Sequence, residues 1–208
     1  MNKKEYDDYI TEQKIRMKKR YLTCSERKEL QHMIDNPKTY IKEETKSIVK
    51  GKIIVTNINE LRKPCESVTK DDNIKEIIKD LKDTLNAQKG FHYGLSANQI
   101  GISKKISLCR LPKYNKQTKK IDITDLIIIN PKIIEKSRKV IHKGEGCLSF
   151  PGLFIDCDRW VFITLQYQDE KLELRTAVLQ DFEGFIIQHE TDHTNGITIF
   201  KRKHGRIK

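Results

Sequence analysis

Charged and polar residues fill the first fifty positions, and periodic apolar patterns begin only beyond them. Between residues 74 and 85 the apolar positions are Ile74, Ile77, Ile78, Leu81 and Leu85, three or four apart. That spacing lines one face of a helix. Asp71 or Asp72 is placed to cap its start and Gly90 to end it, and such a helix should cover a sheet. Strand patterns follow at 105–111, 126–130, 138–142, 160–168 and 171–178, with turns expected at Asn130-Pro131 and Asp169-Glu170. The close spacing of the later strands predicts antiparallel pairing. A second long helix is expected over 182–194. The fold class is therefore α+β, with mostly antiparallel sheets packed around that second helix.

Residues 1–50 read as a charged helical extension to a domain spanning 51–208. Tyr6, Tyr9 and Ile10 start a weak helical pattern. Thr23 with Glu26 is spaced as a capping box for a helix to Asp35, which Asn36-Pro37 would stop. Acidic residues throughout the segment argue against a mitochondrial transit peptide. No internal repeat is visible.

Composition adds a setting. A chain of 208 residues with 37% hydrophobic content can bury one core. Its longest apolar run, 126–129, is far too short to cross a bilayer. Five cysteines, at 24, 65, 109, 147 and 157, show no Cys-x-x-Cys spacing, so no disulfide framework is expected. These features predict a cytoplasmic enzyme with no membrane partner, expected to be a monomer. Forty-one Lys and Arg against 29 Asp and Glu leave a formal charge of +12. Such a field favours anionic surfaces such as ribosomal RNA. The basic residues are spread along the chain without a helix-turn-helix, zinc-finger or aromatic ribonucleoprotein motif, so no sequence-specific nucleic acid is expected.

The second helix carries the chemistry. Its Gln188-His189-Glu190-Thr191-Asp192-His193 run contains a His-Glu-x-x-His motif. His189 and His193 lie one turn apart and face the same way, so both can reach one divalent ion, with Glu190 beside its remaining position. The third ligand is open. A metzincin would place a His where this chain has Ile199, and no Asp or Glu follows His193. The ligand is either upstream, with Cys147 in Gly144-Glu145-Gly146-Cys147-Leu148-Ser149 the best candidate, or His204 in the basic tail. A thiolate suits zinc or ferrous iron. With three ligands, the fourth position would hold a water of lowered pKa whose proton Glu190 takes. Three, four and seven residues before His189 stand Ile186, Phe185 and Phe182, which share its face. They anchor the helix in the core, line a pocket, or do both.

A third segment, Tyr93-Gly94-Leu95-Ser96-Ala97-Asn98-Gln99, combines small residues with an amide suited to a cleft wall. Here the sequence resembles the peptide deformylases. Three motifs of that family stand in its chain order, at 94–99, 145–149 and 188–193, within a similarity running from about residue 53 to about 200. Residues 60–64, Glu-Leu-Arg-Lys-Pro, look like the family's N-terminal strand-and-turn segment. The chain departs from the family with His92 in place of a common Gly, Ser96 in place of a common Ala and Thr194 in place of Leu. The resemblance implies removal of the formyl group from N-terminal formyl-methionine of nascent polypeptides, with ferrous iron as the metal and zinc or nickel able to occupy the same ligands.

It also implies roles for single residues. Gln99, the Leu148 backbone N–H and the metal would meet the oxyanion. Gly94 would offer its backbone to the peptide. Phe182, Phe185 and Ile186 would form a methionine slot closed by Tyr93. Glu145 and Arg159 match a pair of family positions and would form a salt bridge that holds the Cys147 loop. Two other readings use the same residues: a small metallopeptidase, or a basic ribosome- or RNA-binding protein keeping an inactive deformylase fold.

Overall fold

The apolar stripe forms a helix as its spacing requires. In a computed structural model, which describes residues 51–205 apart from Ile53, Lys89 and Lys116, helix α1 spans Ile58–Leu61 and α2 spans Ile74–Ala87. The helices expected within 1–50 lie outside the described residues. On α2, Ile77, Ile78, Leu81 and Leu85 are buried and Ile74 packs at the edge of the same cluster. The cap is Asn73 rather than Asp71 or Asp72, its Oδ1 accepting the Glu76 N–H. Asp72 is engaged elsewhere: it accepts the Thr69 N–H at 2.8 Å and pairs with Lys104 at 2.9 Å. Gln88 ends the helix, and Gly90 lies beyond it. Residues 60–64 are likewise not a strand. Asn57 caps α1 by accepting the Asn59 N–H, and Leu61 is buried at the helix end.

Seven strands follow: β1 (Gly94–Ser96), β2 (Ile106–Asn115), β3 (Lys120–Lys136), β4 (Lys139–Gly146), β5 (Phe154–Trp160), β6 (Phe162–Gln168) and β7 (Leu174–Gln180). Five form an antiparallel sheet in the order β1-β2-β3-β6-β7, and β4 pairs with β5 apart from it. Asn130-Pro131 is no turn. Asn130 adopts φ 50°, and its side chain accepts the Val68 N–H at 2.8 Å and donates to Val68 O and Gln168 Oε1 at 2.9 and 2.7 Å. The register shift is thereby absorbed as a bulge and β3 runs on. The expected strand at 160–168 is two, since Trp160 closes β5 and β6 starts at Phe162. β5 escaped prediction because its buried alternate positions are Cys157 and Arg159, so one inward residue is a cation.

Helices α3 (Asp181–Thr194) and α4 (Ile199–Arg202) complete the described chain. One core lies between α2, β1 and β2; a second gathers Ile128, Ile163, Leu165, Ile186 and Ile187. α3 contacts the five-stranded sheet through β1, β2, β6 and β7 and the small sheet through β5, which makes it the central element of an α+β fold. No described helix is long and apolar enough to cross a membrane.

Candidate active site

The end of α3 buries polar side chains on every side: Gln188, Glu190, Thr191, Asp192, His193 and Thr194. A buried polar group is tolerated where it is hydrogen-bonded, and most of these are. Gln188 clamps Trp160, accepting its N–H and donating to its carbonyl, both at 2.9 Å. That bond fixes α3 against the β5–β6 junction and sets the rotation of the histidines.

Cys147 Sγ and the side-chain nitrogens of His189 and His193 lie within 4.8 Å of one another. The Sγ stands 3.2 Å from His193 Nε2, which is 3.1 Å from His189 Nε2. One thiol and two imidazole nitrogens converging on a point are a donor set for zinc or ferrous iron, and the residues present fit such an ion. Burial pushes the His193 imidazole well below its usual range, whereas hydrogen bonds to Cys147 and Glu145 push His189 well above it against its own burial. Among the described cysteines Cys147 is the partly exposed one. Burial pushes Cys65 up to about 11 and Cys157 up to about 12, away from thiolate chemistry. His204 stands apart, 2.7 Å from Asp158 Oδ1.

Behind these three donors stands a chain of charges. His189 Nδ1 lies 2.8 Å from Glu145 Oε1, so the carboxylate fixes the ring's orientation and tautomer. Arg159 grips both oxygens of Glu145, its Nε donating to Oε2 at 2.8 Å. Its Nη1 donates to Asp192 Oδ2 at 2.5 Å, and Arg202 grips Asp192 in turn at 2.9 and 2.6 Å. Burial alone would raise Glu145, but the Arg159 guanidinium and its hydrogen bonds hold it well below the carboxylate range. Glu145 and Arg159 are therefore a buried bidentate pair beside the Cys147 loop. Asp192 and Arg202 were missed by sequence reasoning. A carboxylate inside the metal motif, otherwise without a role, was the available signal.

Glu190 lies on the other flank of the donors. Burial raises its carboxyl, and Ser96 Oγ donates to its Oε2 at 2.7 Å while also lying 2.7 Å from Ser107 Oγ. Ser96 is thus more than a departure from the family pattern, and Ser107 gave no sequence signal. A Cβ at Gly94 would fall 2.3 Å from Glu190 Oε1. Any side chain there would displace Glu190, a demand invisible in the sequence. Gln99 sits in the short helical turn Ala97–Ile100, with its Oε1 accepting the Ser96 N–H at 2.9 Å. Its Nε2 faces Ser149 Oγ at 3.1 Å and Cys147 Sγ at 3.5 Å. Leu148, next in the chain, packs partly against the first core.

The aromatic residues divide. Tyr93 meets Phe182 edge-on at 4.7 Å, and Phe91 lies 4.9 Å from Tyr93. Phe185 and Ile186 are largely buried, at 5% and 6% exposure, so much of their surface anchors the helix. His142, on β4 and missed in the sequence, stacks 4.7 Å from Phe185.

The chain matches the polypeptide deformylase family over residues 50–206. It belongs to that family. A peptide deformylase of Nostoc is 36% identical over 143 residues, 68% of this chain and 73% of the relative. One from Aquifex aeolicus is 37% identical over 147 residues, 70% of this chain and 82% of the relative. The crystal structure of peptide deformylase from Thermotoga maritima superposes with a TM-score of 0.62 at 32% identity, covering 73% of this chain and 96% of that one. The chain is thus a metal-binding hydrolase of protein biosynthesis, a deformylase acting on formylated nascent peptides. The mixed fold of helices and antiparallel strands is that of the solved deformylases. The metallopeptidase and RNA-binding readings give way to it.

Proposed function

We propose that Cys147, His189 and His193 hold one divalent ion in this deformylase and that Glu190 is its general base. The observation that carries the reading is the convergence of the thiol and two Nε2 atoms beside a buried carboxylate. When bound, the ion supplies a water acidic enough to ionise near neutral pH and polarises the formyl oxygen. Glu190 accepts the proton of the attacking water and delivers it to the leaving amine, and a raised carboxyl pKa suits both halves of that task. Ser96 keeps Oε2 oriented and Gly94 leaves room for Oε1. Gln99 Nε2 and the Leu148 N–H donate to the oxyanion. Glu145, held by Arg159, keeps His189 in its ligating tautomer.

Gly94 also presents its backbone to the peptide, and the exposed edges of Tyr93, Phe182, Phe185 and Ile186 receive the methionine side chain of formyl-methionine. Ferrous iron is the physiological metal in this reading, with zinc or nickel as substitutes. The enzyme works in the cytoplasm as a monomer on chains emerging from the ribosome, with residues 51–208 as its catalytic unit and 1–50 as a separate extension.

The test is anaerobic metal analysis with formate release from formyl-Met, acetyl-Met and unformylated peptides. Glu190→Gln should keep its metal and lose about 10²–10⁴-fold in turnover. Near-normal formate release from that variant would remove Glu190 as the base.

A further inference from the structure

The register of β4 against β5 brings a residue to the site that no catalytic role uses. His142 pairs with Cys157 and Glu145 with Ile155, so the chain advances three residues on β4 for two on β5. That bulge, with Gly144 at φ 61°, turns His142 and Glu145 toward the same face of the small sheet. On this face Glu145 meets His189. His142, farther back along the strand, meets Phe185, which lies one helical turn before His189; the two ring centroids are 4.7 Å apart.

The ring also joins a series. Phe182 stands 6.2 Å from His142 on one side and meets Tyr93 edge-on at 4.7 Å on the other. Tyr93, Phe182 and His142 each remain partly exposed, while Phe185 is buried behind them. Burial lowers the His142 pKa, so its ring is uncharged near neutral pH and belongs with the aromatic wall. Aliphatic side chains would bury a methionine equally well by area alone. Rings add a preference of another kind, because a polarisable sulfur gains from aromatic contact and a methylene of similar size does not.

We infer that His142 is a specificity-determining residue of the methionine slot and that, with Phe182 and Tyr93, it selects a thioether sulfur over a methylene at the same place in the side chain. The inference rests on the reading that these rings receive the side chain of the formylated residue, and its test separates the two.

Three peptides that differ only in the formylated residue, methionine, norleucine or alanine, would be compared on the nickel-loaded full-length chain. Norleucine exchanges the sulfur for a methylene at nearly constant shape. In the parent chain, kcat/KM for methionine should exceed that for norleucine by about twofold to tenfold, the range of a sulfur–aromatic contact. Norleucine should exceed alanine by about tenfold or more, from apolar burial. His142→Leu keeps bulk and removes the ring, so it should at least halve the methionine-to-norleucine ratio while norleucine keeps its lead over alanine. His142→Phe should restore the ratio. Calorimetric affinities of the deformylated peptides should follow the same order, and melting profiles with nickel content would separate lost fold or metal from lost selectivity. Equal kcat/KM for methionine and norleucine in the parent chain would overturn the inference and, with alanine still far behind, leave the slot standing. A ratio unchanged in His142→Leu, or not restored in His142→Phe, would overturn it as well. Equal values for all three peptides would remove the slot itself.

Discussion

Helices α2 and α3 have the same length, 14 residues each, and opposite constitutions. α2 buries one apolar stripe and leaves its other face to lysines and acids, so its stability comes from area removed from water. α3 buries His, Glu, Asp, Thr and Gln in its second half, and its place depends on most of those groups finding a partner. The difference teaches where robustness and chemistry lie in this fold. An apolar stripe tolerates graded change, whereas a satisfied polar network fails by stranding charges.

The sharpest way to break the comparison is Arg159→Met. It leaves Glu145 and Asp192 buried without their shared cation, and breaking a buried ion pair on one side costs about 3–5 kcal/mol. Urea unfolding should register that loss, and dialysis should show faster metal loss because Glu145 no longer holds His189. A stability change below 1 kcal/mol would mean that the pair behaves as a surface bridge. Next in size is Leu81→Ala on α2, a fully buried side chain, with an expected cost of about 3 kcal/mol from lost burial and cavity formation. Here the folded fraction should keep wild-type turnover and metal content; a fall in either would show that α2 supports the site directly. The smallest effect is Asn73→Ala, which removes the α2 cap and should cost about 1 kcal/mol in thermal or urea unfolding. Alanine at Asp71 should be near neutral by comparison, and the opposite ranking would restore the aspartate as the cap.

Legibility followed the same division. The α2 stripe was readable because periodicity reports burial when burial is apolar, and the span of α3 was readable from its motif. β5 was not, because its inward Arg159 interrupts the apolar alternation by which a strand is read. The Asn130-Pro131 pair reads as a turn by local chemistry; its side-chain bonds to Val68, 62 residues away, make it a bulge instead. In the site, residues that share a motif could be grouped from the sequence. Across the fold, Cys147 could be joined to the histidines by elimination and Glu145 to Arg159 by the resemblance, but the partnership of Ser96 with Glu190, 94 residues apart, had no signal.

The alternating series Arg202, Asp192, Arg159, Glu145 also bears on how this sequence can change over time. Each link neutralises the next, so a single neutral replacement anywhere exposes an unbalanced neighbour. A lineage can therefore revise the series only by exchanging adjacent members together, or by passing through a weakened intermediate. Lys132 and Lys136 form no ion pair among the described residues, so no carboxylate couples a change at either position to a change in a neighbour. Among descendants of this chain, substitutions in the series should arrive in pairs, and those along the outer end of β3 should arrive singly.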